Sequence, residues 1–180
     1  MIANLVKVER TIDRFSDWVG AVSAILLLLL LVNVVYDVVM RYLFSDVSIG
    51  MQELEWHLYS MVFLFGIAFA LRADAHVRVD LVYERLSPKR RATIDILGTL
   101  LLLWPFCALV AGYGIGFAHE AYRLGETSGD PGGLPYRWLI KAMIPMAFIC
   151  VLLSSVGFML RSLRTYRRVP NPRAGGSIVS

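Results

Sequence analysis

The sequence predicts an all-α membrane protein with four transmembrane helices, and three observations lead to this fold class. Of the 180 residues, 57% are hydrophobic and only 18% are charged. The mean hydropathy is +0.62, which lies outside the usual balance of a soluble domain. Four stretches are each long and apolar enough to cross a bilayer, for which a helix needs roughly 20 residues. The basic residues are concentrated beside alternate ends of these stretches.

The four predicted spans cover residues 19–40, 51–71, 94–118 and 138–160. The first apolar run is too long for the hydrophobic region of a signal peptide, so we expect it to be retained. We expect residues 1–169 to form one four-helix transmembrane domain, and residues 170–180 to form a disordered cytoplasmic tail.

The basic residues predict the orientation of the spans. Of the 18 Lys and Arg residues, 14 lie before span 1, between spans 2 and 3, or after span 4, and only three lie in the other two flanking segments. The positive-inside rule therefore places the N-terminus, the basic middle loop and the C-terminus in the cytoplasm. Basic charge confined to the ends of apolar runs indicates membrane topology, so we expect no nucleic-acid partner.

The segment before span 1 is amphipathic, because apolar residues recur in it at steps of three and four. This pattern predicts an N-terminal interfacial helix that lies on the cytoplasmic face and contacts membrane lipids. The alternative is an extension of span 1 into water, which gives a similar pattern.

In the middle loop, Ser87 is a predicted helix cap before Pro88, and a second apolar face comprises Val77, Leu81, Val82 and Leu86. The outer loop at 125–135 is rich in Gly and Pro and is predicted to be irregular.

Small residues at steps of three and four predict the faces on which the spans pack, because they allow helix backbones to approach closely in lipid. We expect spans 3 and 4 to pack tightly on each other. The bulky Met61, Phe65 and Phe69 of span 2 face either lipid or a partner subunit. The predicted packing residues are Gly66, Ala70, Ala108, Gly112, Gly116, Ala147, Cys150, Ser154 and Gly157.

Ionisable residues within the spans lie toward the outer ends and leave the membrane centre almost free of charge. No buried series of carboxylates is therefore available to pass a proton or ion across, and we interpret the outer charges as structural or partner-binding. Asp37 and Arg41 have the spacing of a local ion pair. The candidate partner-contact residues are Asp37, Arg41, Glu53, Glu55, Arg123, Glu126, Arg137 and Lys141.

No pattern in the sequence predicts an enzyme, a cofactor or a metal site. Only His57 and His119 could form a facing haem pair, and both lie near the membrane surface. Cys107 and Cys150 lack a C-x-x-C spacing and are interpreted as small core residues. A phosphate-binding loop is also absent from the sequence. We therefore expect no catalytic, cofactor-binding or metal-binding residues.

Three stretches resemble the small membrane subunit (DctQ-like, or Q subunit) of tripartite ATP-independent periplasmic (TRAP) transporters. They are QELEWHLYSMVFLFGIAFALRADAHVRVDLVYERLSPKRRATIDILG at 52–98, GETSGDPGGLP at 125–135 and RWLIKAMIP at 137–145. The resemblance implies a multi-pass protein of the bacterial inner membrane. Its implied partners are a large membrane subunit and a soluble periplasmic substrate-binding protein.

In that family, sodium-coupled transport of an organic acid takes place in the large subunit by an elevator-like movement. The small subunit is implied to brace the large one and to help dock the binding protein. The DPGGLP sequence is most similar to that of members associated with 2-oxo acids or similar monocarboxylates.

Two other classes of protein share some of these features. A small four-helix exporter could assemble from such chains, although the strong charge bias argues against the insertion in both orientations that such exporters use. A membrane electron-transfer subunit would need the haem or thiol chemistry that the sequence does not favour.

Overall fold

A computed structural model describes residues 2–73, 75, 83 and 85–168, without the side chains of residues 2–5 and 168. Within this part of the chain, four long helices are α1 (Ile2–Leu43), α2 (Ile49–Arg72), α3 (Pro88–Arg123) and α4 (Trp138–Arg168). Each is long and apolar enough to cross a membrane. The predicted all-α, four-span class is therefore confirmed. The apolar positions 77, 81 and 82 and the predicted tail at 170–180 lie outside the described residues.

Helix α1 is one continuous helix of 42 residues, so it is about 63 Å long at 1.5 Å per residue. The prediction of a separate interfacial helix is wrong, because this segment continues span 1 as one helix. The reason is that the polar side of the extension contacts α4. The Ser16 hydroxyl lies 2.7 Å from that of Ser154, and Asp13 is ion-paired with Arg161. That the extension lies in water stays a prediction.

Helix α3 begins at Pro88, six residues before the predicted span. As predicted, Ser87 caps it, and its hydroxyl accepts a hydrogen bond from the Arg90 amide. Residues Thr99–Leu103 form a π-helical segment, which ends where the Trp104 amide donates to the Thr99 carbonyl. Pro105 follows directly, and a proline ring clashes with the carbonyl four residues earlier in an ordinary α-helix. The wider π-helical turn relieves that clash.

Helix α4 is the centre of the arrangement, because it packs against α1, α2 and α3. Helices α1 and α2 also pack on each other, whereas α3 packs chiefly on α4. Phe65 is buried in the core and Met61 packs against it, so these two residues face the bundle rather than lipid or a partner. The ring of Phe69 covers Gly20, where a Cβ atom would lie 2.5 Å from it. A larger residue at this crossing of α1 and α2 would therefore require the Phe69 ring to move.

The predicted packing residues are buried in α4 but exposed in α3. In α4, Ala147, Cys150, Ser154 and Gly157 are all buried. In α2, Gly66 faces Ser23 and Ala70 borders a groove. In α3 the predicted face is wrong for contacts within this chain, since Ala108, Gly112 and Gly116 are exposed.

The buried small residues of α3 are instead Cys107, Ala111, Gly114, Ala118 and Ala121. A Cβ atom at Gly114 would lie 3.0 Å from the ring of Pro145, whereas no atom of the described part of the chain lies within 4 Å of one at Gly112 or Gly116. Two stripes of small residues run along α3. Spacing alone did not distinguish the stripe that contacts α4.

Candidate functional site

Charged side chains gather at the two ends of the bundle. The loop end carries the connection between α1 and α2 and the outer loop at 124–137. The terminal end carries the beginnings of α1 and α3 and the ends of α2 and α4. Both ends are organised by polar contacts between helices.

At the loop end, Glu53 fixes the outer loop on the first turns of α2. One carboxylate oxygen accepts a hydrogen bond from the Leu134 amide at 2.6 Å, and the other accepts from the Ser128 hydroxyl. The Ser128 amide also donates to the Leu134 carbonyl at 3.1 Å. Helix α2 presents Glu53 at this position because its start is capped by Ser48. The loop has no helix or strand of its own, as predicted, yet it has a defined conformation.

Glycines make this loop conformation possible. Gly125 and Gly132 have φ angles of +59° and +84°, which an L side chain rarely adopts. Gly133 lies so close to α2 that a Cβ atom there would be 2.9 Å from the Glu53 carboxylate, and it would also contact Ser128. The glycines of the GETSGDPGGLP stretch therefore shape the loop around Glu53.

A second set of contacts ties the loop to α3 and α4. Lys141 of α4 forms an ion pair with Glu126, and its ammonium group lies 4.0 Å from the ring centroid of Phe117 in α3. The Arg137 amide donates to the Glu126 carbonyl at 3.1 Å. The Glu126 amide donates to the Ala121 carbonyl at the end of α3, at 3.0 Å. One loop is thus joined to α2, α3 and α4. We call the loop with Glu53, Glu126 and Lys141 the outer-loop site.

An open cleft of about 270 Å³ lies beside this site. Its charged lining combines Arg137, Glu53 and Asp130, and its other walls include Trp56 and His57. Acidic, basic and aromatic groups are therefore presented together at the loop end. Such a surface suits contact with another protein, because aromatic and arginine side chains are enriched at protein interfaces.

The other predicted contact residues lie outside the outer-loop site. Asp37 and Arg41 form the predicted ion pair, at 2.5 Å, and the Asp37 side chain is nearly buried. Arg123 forms an exposed pair with Glu120 at 3.4 Å. Glu55 is half-buried and, among the described residues, has no polar partner. The structure brings together Glu53, Glu126, Arg137 and Lys141. The other four predicted contact residues lie apart from this site.

The terminal end contains an ion-pair ladder that sequence reasoning missed. Three acidic residues of α1, four positions apart, each contact an arginine of α2 or α4. The O–N distances are 2.8 Å for Glu9–Arg164, 2.6 Å for Asp13–Arg161 and 2.9 Å for Asp17–Arg72. The acidic repeat was visible in the sequence, but the arginines were interpreted only as markers of topology. The ladder explains why α1 continues as a helix alongside α4 beyond the apolar span.

In the part of the chain that is described, no group of three His, Cys, Asp or Glu residues could hold a metal ion. Cys107 and Cys150 are both buried and unbonded to each other. The polar groups of the site are instead used to position a loop and to join helices.

The fold and these two charged ends define a multi-pass membrane protein whose ordered loop, rather than a reaction centre, is its distinctive surface. The family model for tripartite ATP-independent periplasmic transporters, DctQ component, matches residues 29–165. The chain belongs to this family of TRAP transporter small permeases, and the resemblance found in the sequence is confirmed. It is a transporter subunit and not an enzyme.

Two relatives illustrate the similarity. A Haemophilus influenzae protein named as a TRAP transporter small permease is 27% identical over 139 residues, covering 76% of this chain and 86% of the relative. The C4-dicarboxylate TRAP transporter small permease protein DctQ of Rhodobacter capsulatus is 35% identical over 111 residues, covering 59% of this chain and 47% of the relative.

Proposed function

We propose that this chain braces the large membrane subunit of a sodium-coupled TRAP transporter for organic acids and helps to dock the periplasmic binding protein. The observation that carries the proposal is the outer-loop site, in which Glu53 and Lys141 hold one loop against three helices. A loop fixed in this way offers a preformed surface to a partner, which lowers the entropic cost of binding.

The distribution of charge supports a bracing role rather than a transport pathway. Among the described residues, the buried charged side chains are Glu9 and Asp37, which lie toward opposite ends of α1. The other buried polar groups are uncharged, and most have partners within the bundle, such as Ser16 with Ser154 and the Asn33 amide with the Met51 carbonyl. Transport sites are typically formed by broken helices and polar groups near the membrane midplane. Under this proposal the substrate and ions pass through the large subunit.

The proposed orientation has the terminal end in the cytoplasm and the loop end in the periplasm of a bacterial inner membrane. It is supported by six exposed basic residues at the terminal end, which are Lys7, Arg10, Arg14, Arg85, Arg90 and Arg167. The acidic residues of α1 at that end are engaged in the ladder. The exposed charge of the described terminal end is therefore basic, as the positive-inside rule requires.

The proposed docking surface is the outer-loop site with its adjoining cleft. In the proposed orientation it faces the compartment of the binding protein. Arg137 and Asp130 offer charges of both signs, and Trp56 offers an exposed aromatic ring. Charges at such a surface select the partner and its orientation.

The proposed substrate is a small organic acid. The loop sequence suggested 2-oxo acids or monocarboxylates, and the name of the Rhodobacter relative adds C4-dicarboxylates as a candidate class. Under the proposed division of labour, specificity follows the binding protein and the large subunit.

Tagged purification in mild detergent from the native host tests the proposal. We expect a large multispanning protein to co-purify with this chain. The purified pair in proteoliposomes should take up the organic acid only when the binding protein and a sodium gradient are both present. Isolation of a solitary chain that transports by itself would contradict the proposal, and so would specificity that follows this chain when the other components are exchanged.

A further inference from the structure

Two adjoining cavities lie between α2, α3 and α4 toward the terminal end. The larger, of about 610 Å³, has an apolar lining that includes Ala70, Leu71, Gly98, Leu103 and Val151. We call it the α2–α3 groove. The smaller, of about 470 Å³, is lined by polar groups from α3 and α4 and is called the polar pocket. The two share the side chains of Tyr83, Asp95 and Phe158, so they form one continuous, amphipathic slot.

We propose that this slot binds one anionic phospholipid, with an acyl chain in the α2–α3 groove and the phosphate in the polar pocket.

The shape and lining of the groove suit a hydrocarbon chain. Helix α4 forms its floor with Val151, while Ala70 of α2 and Gly98 of α3 line its sides. No atom of the described residues lies within 4 Å of a Cβ atom built at Gly98, so the described structure leaves space in front of this glycine. The volume falls within the range of small-molecule sites, about 300–1,000 Å³. A flexible acyl chain can fill an irregular groove of this kind without a fixed shape of its own.

The polar pocket supplies groups that suit a phosphate. Arg91, Arg161, Ser162 and Thr165 line it. Ser162 is only 7% exposed, and no described residue forms a hydrogen bond with its hydroxyl. Buried polar groups normally have a partner, so the Ser162 hydroxyl is available to donate to a phosphate oxygen.

The polar pocket contains charges of both signs. Two arginines and one carboxylate, Asp95, line it, and the Tyr83 hydroxyl donates to Asp95 at 2.7 Å. The Arg91 Nε donates to the Leu86 carbonyl at 2.9 Å, and its guanidinium lies 5.3 Å from the ring centroid of Tyr83.

Arg161 is ion-paired with Asp13 and donates to the Arg72 carbonyl. A guanidinium carries five N–H donors, so Arg161 can also donate to a phosphate oxygen. Basic pockets between transmembrane helices on the cytoplasmic side are known to hold lipid headgroups.

The depth of the pocket is consistent with a headgroup. Arg161 of the pocket donates to the carbonyl of Arg72 at the end of α2, and Arg72 is ion-paired with Asp17 of α1. The neighbouring Trp18 is 65% exposed. Tryptophan is enriched at the membrane interface. A partner helix in the slot would have to continue across the arginine-lined pocket, whereas a phospholipid has the same change from apolar to polar along its length.

Native mass spectrometry of the full chain, with any co-purified subunit, tests the proposal after reconstitution with phosphatidylglycerol or phosphatidylcholine. We expect one phosphatidylglycerol to remain bound after the more weakly held lipids have been removed. Gly98→Phe, which fills the groove, should reduce this retained lipid by about tenfold, the equivalent of 1.4 kcal/mol. Gly112→Phe is the matched control, because its site is also open but lies on another face of α3.

The headgroup contacts are tested separately. Arg91→Gln should lower the preference for phosphatidylglycerol over phosphatidylcholine by about fivefold, and Ser162→Ala should lower retention of the lipid. Circular dichroism and size-exclusion chromatography verify that each variant folds. Equal retention in the two phenylalanine variants would overturn the proposal, as would equal retention of the two lipids by the unmodified chain. Efficient cross-linking of Gly98→Cys to another polypeptide would also overturn it, because a protein segment would then occupy the groove.

Discussion

The ion-pair ladder predicts a measurable coupling between Asp13 of α1 and Arg161 of α4. Their side chains are 25% and 27% exposed and approach to 2.6 Å, so the pair is better shielded than a surface salt bridge. Exposed pairs contribute about 0–1 kcal/mol, whereas loss of one partner of a fully buried pair costs about 3–5 kcal/mol. We therefore expect Asp13→Asn to lower the free energy of unfolding by about 1.5 kcal/mol, between these limits.

Arg161→Gln should cost more, about 2 kcal/mol, because Arg161 also donates a hydrogen bond to the Arg72 carbonyl at 3.2 Å. The double variant should reveal a coupling energy of about 1 kcal/mol in a double-mutant cycle. The assay is reversible unfolding in mixed micelles, followed by circular dichroism. It should be repeated at high salt, where a shielded pair loses less of its coupling than an exposed one.

The control for this cycle is the pair of Glu120 and Arg123, whose atoms lie 3.4 Å apart and whose side chains are mostly exposed. Its coupling should be below about 0.5 kcal/mol. If the Asp13–Arg161 coupling is no larger than that of the control, the ladder does not hold α1 against α4. The continuous α1 would then need another explanation.

Three further predictions concern the loop and the helix contacts. Glu53→Gln should make the outer loop more susceptible to limited proteolysis, because the carboxylate accepts two hydrogen bonds from it, whereas Glu55→Gln should have no effect. Gly114→Leu should lower the thermal unfolding temperature of the purified chain, since a Cβ there lies 3.0 Å from α4, but Gly116→Leu, at an open site, should not. Trp104→Phe removes an indole hydrogen bond of 2.8 Å to α4 and should cost about 0.6 kcal/mol of unfolding free energy. Equal effects within either matched pair, or an unchanged stability of the tryptophan variant, would refute the corresponding contact.

The number of helices could be predicted from the sequence because the apolar runs are long and distinct. Their lengths could not, since they depend on contacts between helices. The extension of α1 is amphipathic both as an interfacial helix and as a helix packed on α4. The contacts with α4, among them those of Asp13 with Arg161 and of Ser16 with Ser154, distinguish the two.

The residues of the outer-loop site could be predicted from the sequence, but the contacts among them could not. Glu53, Glu126, Arg137 and Lys141 were chosen because they lie near the outer ends of the spans, and this gave no pairing among them. The interaction of Glu53 with Ser128 joins residues 75 positions apart. No local spacing specifies such a contact, and nearby Glu55 has the same side chain but no polar partner among the described residues. The loop, whose backbone includes glycines with positive φ angles, contacts Glu53 and not Glu55.

The attachment of one loop to three helices has a mechanical consequence. Helix α3 packs chiefly on α4, so α2 and α3 are linked at the loop end through Glu53, Lys141 and Phe117. A load applied to the loop by a docked protein would be shared among these helices. The bundle would then move as a rigid body, and no helix would shift relative to the others.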